Sequence, residues 1–377
     1  MERPAPRGFF IADPVDPDVK LKISGVIQFR YVANLRDDDV GSDDETTTGF
    51  QARRTWLIFS GDVGPKLSFM IQSEFLRTTG DLYLLDAWAK YKLAEGLSLR
   101  AGQFKLPLLR EETIPNTMML AVENSITNDV FTQSRSQGIE LTHEGEQFRV
   151  YGAFSDGLKT INTDYDAANE ADYALTARAE WLAAGAWSSF RDFTSFRGSE
   201  GGTLLGGAVH WQQSGRTGDN VSGNAADVDL LQYTLDATVK GDGWNLFAAF
   251  IGRNTDDARA TSSFDDFGLV AQGGVFLAEQ SEVFARYDVI FPDSDRPDAG
   301  PTGSGAGGDD PFSTITAGFN YYLSPRSHAA KFTADVQYSL DAQADSSSIV
   351  RPNTGVSLLR DPSDGQTSLR VQFQLLF

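Results

Sequence analysis

The chain has 377 residues, is 41% hydrophobic and 22% charged, and carries a formal net charge of −20 with a mean hydropathy of −0.28. No apolar run approaches the roughly 18–20 residues that a membrane helix requires, so helical spans are excluded. A β-barrel is not excluded, because its strands alternate and average out in hydropathy.

The cysteine count is zero, which fits a compartment where free thiols are a liability. Met1 to Pro17 is polar and proline-rich, with no apolar segment of signal-peptide type. An exported chain would therefore begin here near its mature N-terminus. We expect residues 1–18 to form a periplasmic extension and 19–377 a single domain, since no linker, repeat or composition shift divides the chain.

From residue 19 onward a period-2 pattern recurs. Leu21, Ile23, Gly25, Ile27, Phe29 and Tyr31 share one face, with Lys22, Ser24, Gln28 and Arg30 on the other. Successive side chains of a strand point to opposite faces, so each such segment has one oily and one polar side. Sixteen segments read this way: 19–34, 50–61, 65–77, 81–93, 97–106, 136–144, 146–155, 171–182, 203–213, 227–240, 244–254, 265–277, 281–291, 312–323, 327–341 and 366–377. The number is even, as a single-chain bacterial outer-membrane barrel demands. Links alternate too. Short ones such as GDVGPK, LAEG, GDG and SPR contrast with long Asp/Gly/Ser/Pro-rich ones at 36–48, 107–135, 156–170, 292–311 and 342–365. Short periplasmic turns and long outer loops are how such barrels are built. Residues 183–202 are long for a turn and suggest a helical turn. The chain closes on LRVQFQLLF, which presents Leu369, Val371, Phe373, Leu375 and Phe377 to lipid. Tyr91, Trp181, Trp244 and Tyr322 fall near strand ends, as an interfacial girdle would place them. A soluble β-sandwich also gives half-buried strands. Sixteen alternating strands, none of them a fully buried run, favour the all-β, antiparallel, transmembrane barrel.

Apolar faces toward lipid leave the others toward the lumen. The inward register then holds Lys22, Arg30, Lys90, Lys92, Arg100, Arg149, Arg178, Lys240, Arg286, Lys331 and Arg370, against Glu74, Asp86, Glu140, Glu180, Asp236, Asp288 and Asp335. The wall is net basic although the chain is acidic, so negative charge is displaced into the loops. Examples are Asp37, Asp38, Asp39, Asp43, Asp44 and Glu45; Asp164, Asp166, Glu170 and Asp172; and Asp293, Asp295, Asp298, Asp309 and Asp310. A basic wall raises anion occupancy of a pore. Mixed charges that keep a lumen wet and pair across strands are the plainer alternative. The run 37–45 lacks the ligand spacing of a calcium loop and reads as a solvated rim.

Residues 102–107, GQFKLP, open the longest internal loop. With Glu111, Glu112, Glu123, Arg135, Gly138, the pair Arg53–Arg54 in ARRTWLIFSG, Asp86 in LLDAWAKY and Arg178 in TARAEW, they resemble the phosphate-selective porin O/P family. The resemblance covers nearly the whole chain. It implies a 16-stranded, trimeric outer-membrane porin whose third loop folds inward, with Lys105, Arg53, Arg54 and Asp86 lining a constriction. Arg110, Arg100, Lys90 and Arg178 complete the basic set expected to meet small anions or other small solutes. The chain departs from the family in placing Leu108 and Leu109 where phosphate-favouring members have hydroxyl residues. Arg110 is a candidate substitute. Strict alternation also turns Lys105 and Arg53 outward. Lys105 reaches the lumen only if its strand bulges or ends by Phe104, as Pro107 permits. The arginine pair could instead belong to a wall ion-pair network with Glu74 or Asp86.

Other readings stay open. One is a general or cation-leaning porin. Another is a closed binding or adhesion barrel. Catalysis is not expected: His143 and His328 fall near turns, and His210 faces inward with no clear partner. No cofactor, metal cluster or nucleic-acid patch is apparent. The expected partners are outer-membrane lipid, lipopolysaccharide and two further copies of the chain.

Overall fold

The computed structural model describes residues 8–377 apart from 15, 17, 38–44, 169, 216–227, 258–262, 297–309, 344–348 and 362. Asp38, Asp39, Asp43, Asp44, Asp298 and Asp309 of the expected acidic rim lie outside the described residues. Period-2 patterning becomes strands β1 (Phe9–Ala12), β2 (Lys20–Arg36), β3 (Glu45–Val63), β4 (Leu67–Phe75), β5 (Leu82–Ala94), β6 (Leu97–Lys105), β7 (Arg135–Glu144), β8 (Phe148–Ser155) and β9 (Tyr173–Ala184). They continue as β10 (Gly202–Gln213), β11 (Val228–Gly241), β12 (Trp244–Asp257), β13 (Phe264–Ala278), β14 (Ser281–Phe291), β15 (Phe312–Tyr322), β16 (Ala330–Ser339) and β17 (Thr367–Leu376). Every consecutive pair from β2 to β17 is antiparallel, and β17 pairs with β2, closing a 16-stranded barrel. Closure satisfies each strand's backbone groups and leaves no edge in the wall.

The closing seam explains the oily C-terminus. β17 covers β2 from Val26 to Leu35. Phe377 extends the ladder by one residue: its carbonyl accepts from the Gly25 amide at 2.7 Å and its amide donates to Gly25 at 3.1 Å. Its ring lies over Gly25, where a Cβ would come within 2.5 Å of it. Below the seam the edge of β2 is taken by β1, with Phe9 opposite Ile23 and Ala12 opposite Lys20. The N-terminal extension thus contributes a short strand.

Outward faces carry the apolar residues, among them Phe29, Ile71, Leu141, Trp211, Leu269, Phe332 and Leu369. Trp181, Trp244 and Tyr91 are outward and exposed, as the girdle reading requires. Tyr322 is not. It is fully buried and donates to Glu282 at 2.6 Å, while Tyr321 takes the outward position. A one-residue slip in reading a strand exchanges its faces.

Several described segments fold into the lumen; in the link between β8 and β9, the Leu158 amide donates to Gln212 at 3.1 Å and Thr160 bonds Ser136 at 2.7 Å. Residues 106–134, carrying α1 (Arg110–Thr113) and α2 (Ile126–Phe131), bond to inward side chains around the wall. Gln232 donates to the Phe131 carbonyl at 2.8 Å, Arg286 to that of Glu123 at 2.9 Å, Lys331 to that of Met119 at 2.7 Å and Gln374 to that of Thr117 at 3.0 Å. Asp288 and Asp335 accept from the amides of Ile126 and Val122, each at 2.9 Å. From the same long-loop end, Ile349, Val350, Val356 and Leu358 pack with Leu106, Leu108, Val130 and Phe131. From the short-turn end, the 185–201 link enters with a single 3₁₀ turn, Trp187–Phe190. Its Phe193 packs with Ile114, Met119, Leu120 and Phe247.

Candidate functional site

The inward segments divide the lumen unevenly. On β10–β17 the inward side chains are buried almost without exception: His210, Gln232, Asp266, Glu282, Thr316, Lys331, Asp335 and Arg370 among them. On β3–β6, Ile58, Ser60, Ser68, Met70, Trp88, Lys90 and Arg100 stay partly exposed. The accessible part of the lumen lies against this second wall.

At the outer end of that wall, β3 carries a bulge. Gln28 pairs with Arg54 and Phe29 with Ala52, so Arg53 is the extra residue. Two residues opposing one releases the strict alternation, and both arginines enter the lumen. They meet Glu123 rather than Glu74 or Asp86. Arg53 Nε lies 2.6 Å and Arg54 Nη2 2.7 Å from its carboxylate, and Arg30 Nη1 lies 2.7 Å from it. One carboxylate serves three guanidiniums, leaving a surplus of positive charge. Burial raises the Glu123 carboxyl, but the fields of Arg53, Arg54 and Arg30 outweigh this and hold it well below the usual carboxylate range.

Next to this cluster β5 is irregular at Leu85: Gln72 pairs with Asp86 and Ser73 with Leu84. Asp86 accepts from Arg135 Nε at 3.0 Å and Nη2 at 2.9 Å. Across from Arg135, Lys105 ends β6 just ahead of Pro107, and its Nζ reaches Glu112 at 2.8 Å to the carboxylate and 2.7 Å to the carbonyl. Gly102, with φ of +126°, sits where a Cβ would lie 2.2 Å from the Ala87 carbonyl, so this approach of β6 to β5 requires glycine. Arg100 pairs with Glu140 at 2.7 Å and stacks on Phe104 at 4.0 Å from the ring centroid. Lys90 lies opposite Arg100 and makes no ion pair among the described residues.

Exposure separates the expected site residues. Arg53 and Arg100 keep 19% and 21% of their side-chain surface open, and Lys105 and Arg135 keep 15% and 12%. Arg178 keeps 2%: Asp236 takes its fork at 2.8 and 3.0 Å, Glu180 its Nε at 2.9 Å. Arg110 donates to the Phe190 carbonyl of the inward turn and lies 3.8 Å from Glu180. These two arginines tie loop to wall. His210, without a clear partner by sequence, bonds Thr176 at 2.8 Å and Gln212 at 3.2 Å. The inward register also holds Arg253, Asp266 and Glu282, all buried. The convergence of Arg30, Arg53 and Arg54 on Glu123 was not foreseen. The bulge that creates it leaves no mark in the alternation except an arginine of the wrong parity.

No curated protein sequence matches the chain. Solved structures do. An anion-selective porin from Comamonas acidovorans superposes with a TM-score of 0.63 at 12% identity, over 95% of this chain and 100% of that one. The outer membrane channel DcaP of Acinetobacter baumannii gives 0.59 at 14%, over 97% and 99%. The trimer form of OmpT from Vibrio cholerae gives 0.59 at 13%, over 95% and 99%. At such identities the likeness establishes the fold. The family assignment comes from sequence: the model for phosphate-selective porin O and P matches residues 27–377. With the closed barrel, it makes the chain a member of that porin family, resident in the Gram-negative outer membrane.

Proposed function

We propose that this porin passes small anions by passive diffusion along the β3–β6 side of its lumen. The observation that carries the reading is the charge balance there. Of the three guanidiniums that share Glu123, Arg53 keeps open surface while Arg30 and Arg54 are buried; Lys90 stands unpaired among the described residues, and Lys105 and Arg100 stay partly open. A guanidinium offers a planar fork to an oxyanion and an ammonium a compact point charge. The Comamonas porin's description as anion-selective supports the same direction.

Phosphate selectivity is the finer reading that the family's description suggests. The loop offers it little. Leu108 and Leu109 are buried and carry no hydroxyl, Arg110 is engaged with the inward turn, and Glu112 already occupies Lys105. A general preference for small anions agrees better with these contacts. We also propose a homotrimer, as the trimer form of the Vibrio protein supports, with the remaining apolar wall against lipid and lipopolysaccharide.

The test is a planar-bilayer reversal potential under a KCl gradient, followed by phosphate titration. Anion selectivity that falls in Lys105→Ala supports the reading. Cation selectivity would mean that the acidic loops govern permeation, and no conductance would return the closed binding barrel. Phosphate block at concentrations far below those of other anions would restore the finer reading.

A further inference from the structure

The accessible wall is not uniformly polar. Trp56, Ile58, Met70 and Trp88 all face the lumen. Ser60 pairs with Met70 and Met70 with Trp88 across β3, β4 and β5, while Ile58 and Trp56 continue the strip toward the outer end. Ile58, Met70 and Trp88 are partly exposed. Trp56 is buried against Val26 and Leu85, with Ile58 beside them, and Trp88 packs in part on the buried loop cluster. Porin lumens are polar surfaces, so the faces of Ile58, Met70 and Trp88 that stay open call for an explanation. The cations lie beside them: Lys90 is two residues from Trp88 on the same strand, and Arg100 stands 5.8 Å from the Trp88 ring and opposite Lys90.

We propose that this strip and these cations form one subsite whose preferred solute is an organic anion with an aromatic or extended apolar body, of the aryl-carboxylate class. The inference rests on the anion reading above and specifies its substrate. Alternate residues of one strand lie about 6.8 Å apart, and neighbouring strands about 4.8 Å. A ring laid on Met70 and Trp88 therefore places a carboxylate one or two carbons away at the ammonium of Lys90. The ring gains by displacing water from Ile58, Met70 and Trp88, which inorganic phosphate cannot do. The charge gains from Lys90, which stands beside the Arg100–Glu140 pair, and a neutral aromatic has no such gain.

The experiment compares block of KCl current through the wild-type channel by 3-phenylpropionate, propionate, inorganic phosphate and neutral 3-phenylpropanol. We expect 3-phenylpropionate to reach half-block at a concentration at least ~10-fold below each of the other three, since ring and charge both contribute. Ile58→Ser with Met70→Ser should reduce that advantage to about 2-fold or less. Folding of the variant is read from its heat-shifted band in electrophoresis. If it does not fold, Met70→Gln alone gives the same comparison. Propionate or phosphate blocking as well as 3-phenylpropionate would overturn the proposal. So would equal block by 3-phenylpropanol. A wild-type reversal potential on the cation side would instead overturn the anion reading beneath it, and the two failures are read from different records.

Discussion

The two halves of the lumen wall use the same residue types for different ends. On β10–β17, arginine and lysine are spent on closure. Arg370 is wholly buried and grips Asp335 at 2.7 Å, and Lys240 Nζ touches Asp192 and the carbonyls of Ser189, Asp192 and Thr194 at 2.6–2.8 Å. These bonds hold loop segments inside the barrel. On β3–β6, Arg54 is buried too, but Arg53, Lys90 and Arg100 keep open surface, and Lys90 has no counter-charge among the described residues. A buried charge must be fully paired to be tolerated, while a wetted one need not be. Counting inward charges therefore does not measure selectivity. What matters is how many remain open after the loops are seated.

The comparison breaks most sharply at Glu123. Replacing it by Gln leaves three guanidiniums without their carboxylate. Loss of one partner of a buried pair costs about 3–5 kcal/mol. Glu123→Gln should lose its folded electrophoretic form at a markedly lower temperature than wild type. An unchanged transition would show that the cluster is wetter than its contacts suggest. The carboxyl is depressed, so its contribution is complete above the unfolded value near 4.3, declines as pH falls below that value, and is gone once pH has passed the much lower folded value. The gap between wild type and variant should thus persist down to about pH 4.

Phe193→Ala comes next. Its ring joins the inward turn to Ile114, Met119 and Leu120, and core Phe→Ala changes cost about 3–5 kcal/mol. Part of that loss falls on local seating rather than on the barrel. The expected outcome is a higher single-channel conductance, as the filled half begins to pass ions. Conductance equal to wild type would show that the turn closes nothing.

Smaller effects sharpen the contrast within the open half. Arg53→Ala should lower the anion-to-cation permeability ratio about 2- to 3-fold, because charge lining a narrow passage sets local ion occupancy. Lys240→Ala, on the sealed side, should leave the ratio within about 20% of wild type if it folds, its charge being compensated inside the wall. A ratio shift in Lys240→Ala as large as that in Arg53→Ala would erase the distinction between halves.

The barrel itself was legible because alternation is a repeated signal and lipid on one side enforces it. All sixteen strands appear within a few residues of their expected bounds. Local departures from alternation were not. Arg53 reads as outward by parity, and only the pairing of Gln28 with Arg54 and Phe29 with Ala52 shows the extra residue. Tyr322 is misplaced by one position because two tyrosines stand together at the strand end, and either fits the girdle. The 185–201 link was visible as an anomaly of length. Its inward course depends on carbonyls meeting Lys240 across 48 residues of sequence, a contact with no periodic signature. Lys105 and Asp86 were singled out by family resemblance, yet neither pairs with the other: Glu112 and Arg135 are their partners.

The central claim is that permeation follows the β3–β6 wall and not the β14–β15 wall. The chain has no cysteine, so single cysteines can be placed without a background. Ser60→Cys faces the accessible side, and Thr316→Cys lies on β15 with its side chain fully buried. A negatively charged, thiol-reactive sulfonate added to an open channel in a bilayer should lower the current of Ser60→Cys within minutes and leave Thr316→Cys unchanged. Modification of Thr316→Cys at a rate similar to that of Ser60→Cys would contradict the account.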